Sequence, residues 1–203
     1  MKDSFKTIKA PARAEIKIQR SKFIASAFLC HDQGEAQAEI EKISGVYHDA
    51  NHNCFAYRIY PLEGSEIFRY SDAVEPSGTA GKPIYDSILS GDLFNLGIVV
   101  TRYFGGIKLG TGGLKRAYRD AARSVLENVQ VTEILITEKF RVKFPLNLTN
   151  MVLRILSRDD IKLVESNYTD EGEITFEVRL SMTGQVEEAL TSATNARIDL
   201  RKI

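Results

Sequence analysis

Two segments concentrate the residue types that hold anions or move protons. The first, VVTRYFGGIKLGTGGLKRAY at 99–118, runs from an apolar stretch into Arg102, Tyr103 and Phe104, then through Gly105, Gly106, Gly110, Gly112 and Gly113. A strand, a glycine loop and a helix start make an anion trap, because unpaired N–H groups and the helix dipole point at a ligand that bare backbone lets approach. Between residues 101 and 123, the cations Arg102, Lys108, Lys115, Arg116, Arg119 and Arg123 stand against one acid, Asp120. The second segment, YSDAVEPSGTAGKPI at 70–84, crowds Ser71, Asp72, Glu75, Ser77, Thr79 and Lys82 among Pro76, Gly78, Gly81 and Pro83. Long structured loops in compact domains often carry binding residues.

Spacing narrows the chemistry. Gly105 and Gly110 stand at P-loop separation, but Thr111 and Gly112 follow where Lys and Ser or Thr are required; a dinucleotide fingerprint begun at Gly110 breaks at Lys115. The second loop has neither a G-x-S-x-G elbow nor an S-x-x-K pair, so no catalytic residue is assigned. Three readings stay open. The glycines can make tight turns beside a solvated cationic helix face, with Ser77 or Thr79 capping the helix that Pro83 begins. Arg102, Lys108, Lys115, Arg116 and Arg119 can hold phosphates, with Thr111 and the loop backbone in close contact and Tyr103 and Phe104 free to stack on bases. Or a cleft between the loops can act on a phosphorylated or peptide substrate, with Glu75 as base or ligand and Lys82 or Arg102 stabilising charge.

Cys30, His31, His48, His52 and Cys54 all fall within 25 residues, close to Asp49. There is no C-x-x-C, and His48 and His52 have ligand spacing only on a helix, whereas the segment reads as a turn entering a strand. No metal or cofactor is assigned. His52 is read as a hydrogen-bonding residue near the glycine loop, and the cysteines as small buried hydrophobes.

The elements that must position these loops follow from periodicity. Residues 13–29 alternate as extended chain, GEAQAEIEKISGVY reads as a helix, and CFAYRIYPLEG and EIFRYS as a hairpin around a Pro/Gly turn. LGIVVTRYF is a buried strand by its β-branched content, and GGLKRAYRDAARSVLEN an amphipathic helix with Leu114, Ala117, Ala121 and Val125 on one face. The remainder changes rhythm: ILITEKFRVKFPL as one strand, then helix, two strands about an Asp-Glu-Gly turn, helix, strand. That β-α-β-β-α-β order is the ferredoxin-like pattern. The expectation is an α+β chain of two domains, 1–133 and 134–203, in 203 residues of zero net charge. Zero net charge gives no global attraction to nucleic acid or membrane, so any such contact must be local. Two cysteines, no export signal and no apolar run near 20 residues point to a cytoplasmic protein with no membrane partner.

Taken together, the loops resemble the YigZ/IMPACT family. The resemblance rests on SKFIA at 21–25, HDANHNCFAYRI at 48–59, YSD with EPSGTAGKPI at 70–84 and the whole of 99–118. One departure stands out: the family usually reads YSDDGEPSGTAG, and Ala73-Val74 here replaces Asp-Gly. The resemblance implies an N-terminal β-α domain like domain IV of translocase elongation factors and a ribosomal-protein fold, followed by a ferredoxin-like module. Eukaryotic relatives act as translation regulators through a protein partner. The functional expectation is a translation-associated binding protein contacting RNA, the ribosome or a translation-associated protein, without DNA sequence readout. A second loop of His52, Asp72, Glu75, Ser77, Gly78, Thr79, Gly81 and Lys82 would complete the site. The alternative is the hydrolase-type cleft.

Overall fold

The computed structural model describes residues 3–61 and 65–203. The chain divides into two compact units, one built on Phe5–Ile134 and one on Leu135–Ile203 together with the first residues of the chain. It is an α+β protein. In the first unit, β1 (Ser4–Ile8), β2 (Ala12–Ile18) and β3 (Ser21–Leu29) precede α1 (Gln33–Val46); then come β4 (His52–Ile59), β5 (Ile67–Ser71), α2 (Gly81–Ser90), β6 (Leu96–Tyr103), α3 (Gly110–Leu126) and β7 (Val131–Leu135). Of the expected turn between β4 and β5, Leu62–Gly64 lie outside the described residues.

Five strands form an antiparallel sheet in the order β2-β3-β6-β4-β5. Its central strand β6 is covered on both faces, which is why LGIVVTRY reads as an unbroken apolar run rather than an alternation. One face carries Phe23, Ala25, Ala27, Cys54, Ala56, Leu96, Ile98 and Val100, packed under α2 and α3. The other carries Phe28, Phe55, Tyr57, Ile59 and Val99 under α1. The amphipathic face of α3 is lined with Ala117, Ala121 and Ala122, and these small side chains let the helix lie close to the sheet. β2 and β3 join through a two-residue turn, Gln19-Arg20, with both residues at positive φ. That is the turn geometry whose twist suits a hairpin.

The second unit contains β8 (Thr137–Phe144), α4 (Thr149–Leu156), β9 (Ile161–Tyr168), β10 (Gly172–Arg179), α5 (Thr183–Ala193) and β11 (Asp199–Lys202). Its antiparallel sheet runs β11-β8-β10-β9, the strand order of the ferredoxin-like split β-α-β arrangement. Phe140, Val142, Phe144, Ile174, Phe176 and Val178 form the sheet's side of the core, completed by Val152 and Leu156 of α4 and Val186 and Leu190 of α5. Two details differ from the sequence reading. ILITEKFRVKFPL is not one strand: β7 pairs with β1, and after Ile136 the chain enters β8 of a different sheet. The short β1 has a partner more than 120 residues away, so no local pattern announces it.

Candidate functional site

The site lies at one end of the layer between the sheet and α3. Register brings Phe23 of β3, Arg102 of β6 and His52 of β4 into one cross-strand row. Arg102 continues the Leu96, Ile98, Val100 alternation, so it faces the α2/α3 layer although it is charged. It is only 5% exposed. Its Nη1 donates to Glu75 Oε1 at 2.6 Å, the Tyr118 hydroxyl donates to the same oxygen at 2.8 Å, and His52 Nε2 lies 3.7 Å away. Tyr118 meets the Phe23 ring edge-on, with centroids 5.3 Å apart. The guanidinium sits between the Phe23 and Phe104 rings, at 5.6 and 5.4 Å from their centroids. A buried cation and anion coexist here because they pair with each other and Tyr118 adds a second donor to the carboxylate.

Burial raises the pKa of Tyr118, and its neighbours Cys54 and Glu75 push it further the same way. Cys54 is pushed up to about 12, chiefly by burial. Its thiol donates to Asp72 O at 3.0 Å and lies 3.4 Å from the Tyr118 hydroxyl. A thiol held protonated in this way is structural rather than nucleophilic. His52 Nδ1 is 2.9 Å from Ala73 O. A carbonyl oxygen only accepts, so Nδ1 carries the hydrogen and ties β4 to the 70–84 loop.

That loop is shaped by Asp72. Its Oδ1 accepts from the N–H groups of Ala80 and Gly81 and its Oδ2 from Gly78, which caps the start of α2. Burial pushes its carboxyl up, but these backbone donors outweigh it and the pKa is lowered. This corrects the expected cap. Thr79 instead donates to Pro76 O within the loop, and Ala80 at the cap position supplies no side-chain bond. Gly81 lies hard against the Ser71 backbone, so it belongs to the scaffold. Ser77 is exposed, and Lys82 pairs with Asp86 one turn along α2.

A cavity of about 400 Å³ opens at this end, between the 70–84 loop and the glycine loop. Of the predicted site residues it gathers His52, Glu75, Arg102, Lys108, Gly110 and Thr111. Asn51, Pro76, Phe104, Leu109 and Leu114 complete its walls. α3 begins there without a side-chain cap and with no acid in its first turn. The leading N–H groups of any α-helix have no intrahelical acceptor, and here no side chain at the cap position takes its place.

The glycines divide by cause. A Cβ on Gly105 would stand 2.1 Å from the Arg20 carbonyl carbon, so this residue lets the loop pass the β2–β3 turn. Gly106 and Gly110 have φ of +85° and +67°. Gly113 is close to the Leu109 side chain, whereas a Cβ on Gly112 would meet open space. Lys115 and Arg116 are exposed farther along α3 and Arg119 is half-buried; none of them lines the cavity. Tyr103 is occupied, its hydroxyl donating to Asp49 at 2.7 Å while Lys22 lies over its ring. Phe104, 45% exposed, is the aromatic left at the cleft. Sequence reasoning passed over Tyr118 and Cys54 as site residues, although Tyr118 ends the 99–118 string and falls one turn after Leu114 on the buried face. Among the described residues, no group of three or more His, Cys, Asp or Glu is arranged to hold a metal ion, and no helix is long and apolar enough to cross a membrane.

Comparison with known proteins places this arrangement. The Impact N-terminal domain model matches residues 19–126, which contain β3 through α3 and both loops. The chain belongs to the IMPACT family. It is 34% identical to the IMPACT family member YvyE of Bacillus subtilis, over all of this chain and 92% of that one. It is 30% identical to the IMPACT family member YigZ of Escherichia coli, over 78% of each chain. Its fold is also similar to the crystal structure of a hypothetical protein, over 100% of this chain and 98% of that one, with a TM-score of 0.71 at 25% identity.

Proposed function

We propose that this chain is a translation-associated binding protein that holds the phosphate backbone of RNA on its glycine loop and the cationic start of α3. One observation carries the reading: an uncapped helix N-terminus, Lys108 and the buried Arg102 meet in a single cleft, with Lys115 and Arg116 exposed on the same helix. In a chain of zero net charge this is a local attraction, suited to positioning a backbone rather than to coating nucleic acid. The translation link draws on the family resemblance. Titrating a labelled single-stranded RNA against salt tests it. Affinity should fall linearly on a log–log scale, with about 0.7 of slope for each phosphate held. Lys115→Ala with Arg116→Ala should lower the affinity and take roughly 1.4 from the slope. No binding at low salt, or a slope the double variant leaves unchanged, overturns the reading.

A second reading is favoured by His52 and Glu75 standing on the wall of the same cleft. A hydrolase-type enzyme acting there on a phosphorylated or peptide substrate would lose turnover in folded Glu75→Gln. Silence across a broad panel of phosphate esters and peptides excludes it.

A further inference from the structure

We propose that the cleft seats one nucleotide of a single strand, with its phosphate on the first turn of α3 and its base against Phe104. This deepens the preceding reading and rests on it for the identity of the polymer. Two independent features point to an anion. The first turn of α3 has no side-chain cap, and Gly110 and Thr111 of that turn line the cavity. Arg102, also on the wall, is more than nine-tenths buried, and among the described residues its Nε–H has no acceptor. A buried guanidinium N–H without a partner is costly, and a phosphate oxygen is an acceptor of the kind it lacks. Among the described residues lining the cavity, Glu75 is the sole acid, and its Oε1 is already held by Arg102 and Tyr118.

The rest of the wall is different in kind. Phe104 presents a half-exposed ring, with Pro76 and Leu114 as further apolar wall. A base can stack on such a ring without being read, since every base has a π-face. The volume of about 400 Å³ is near the lower end of small-molecule sites, roughly 300–1,000 Å³. It admits one nucleotide and no duplex, so the strand must be single or must splay one residue outward. Gly112, in the same first turn, agrees with this, since a Cβ built there would meet open space and no packing demands a glycine.

Calorimetric titration of the full chain with adenosine 5′-monophosphate, inorganic phosphate and adenosine separates the two contacts. Adenosine monophosphate should bind more tightly than either fragment. Phe104→Ala should weaken it roughly ten- to hundredfold and phosphate alone far less, with a small fall in melting temperature because the ring also packs on the Arg102 guanidinium. Equal binding of phosphate and nucleotide, or indifference to Phe104→Ala, overturns the proposal in favour of a plain anion site. An RNA oligomer that binds with a steep salt slope while the mononucleotide does not also overturns it and leaves the proposed function standing. Nucleotide binding without RNA binding upholds the cleft and removes the RNA reading.

Discussion

Val74→Gly should make the protein more stable. The Glu75 N–H donates to Asp72 O at 2.8 Å across the pair Ala73-Val74, whose φ values are +43° and +71°. Positive φ at both central residues is the mark of a type I′ turn, which favours Asn-Gly or Asp-Gly. The family usually has Asp-Gly here, and this chain puts a β-branched residue at the second position. An L-residue in the left-handed region costs about 1–2 kcal/mol, and a β-branched one belongs at the upper end. Val74 is 95% exposed, so removing its side chain forfeits almost no packing. Glycine loses more backbone freedom on folding, which takes back roughly 0.5–1 kcal/mol. The net gain is about 1 kcal/mol, or roughly 3 °C in Tm for a unit of this size. Thermal melting and urea titration followed by circular dichroism measure it. Val74→Ala, which relieves the branching but keeps the Cβ, should recover less than half of the gain. A lower Tm in Val74→Gly, or an equal gain in Val74→Ala, refutes left-handed strain as the cause.

Other residues of the same network give further expectations. Glu75→Gln leaves the buried Arg102 guanidinium facing a neutral amide and should cost about 3 kcal/mol in urea unfolding; a loss below about 1 kcal/mol would mean that the pair is solvated. Asp72 has a folded-state pKa below its ordinary value, so its stabilisation is fully present above about pH 3.9 and disappears as the pH falls through the lower folded value. The stability gap between the parent and Asp72→Asn should therefore be complete at pH 7 and narrow below about pH 4, and a gap that widens toward pH 3 contradicts the capping role. Gly105→Ala forces a Cβ into the Arg20–Ser21 backbone and should cost at least about 2 kcal/mol, whereas Gly112→Ala, in open space within a helix, should gain up to about 1 kcal/mol. If the two alanine variants melt alike, the assignment of Gly105 to close approach is wrong.

What could be read from the sequence depended on how far apart the partners lie. α3 was legible because its apolar residues recur at helical spacing, and β6 because both of its faces are covered. β1 was not, since its pairing with β7 is set by the far end of the first unit, and the same pairing breaks what looked like one continuous strand before β8. The site shows the same division. Glycine spacing and local charge located the loop, but the roles of its neighbours come from contacts without a local signature. Asp72, grouped by sequence with the site residues, turned out to be the cap of α2; of the two expected caps, Thr79 bonds within its own loop and Ser77 is exposed. Glu75 meets Arg102 and Tyr118 across 27 and 43 residues, and only the fold could show that its carboxylate steadies the guanidinium. A carboxylate held this way is poorly placed to act as a free base. It fixes Nη1 of Arg102 while Nε–H finds no acceptor among the described residues, which is how a buried acid can hold a cation ready for a second anion.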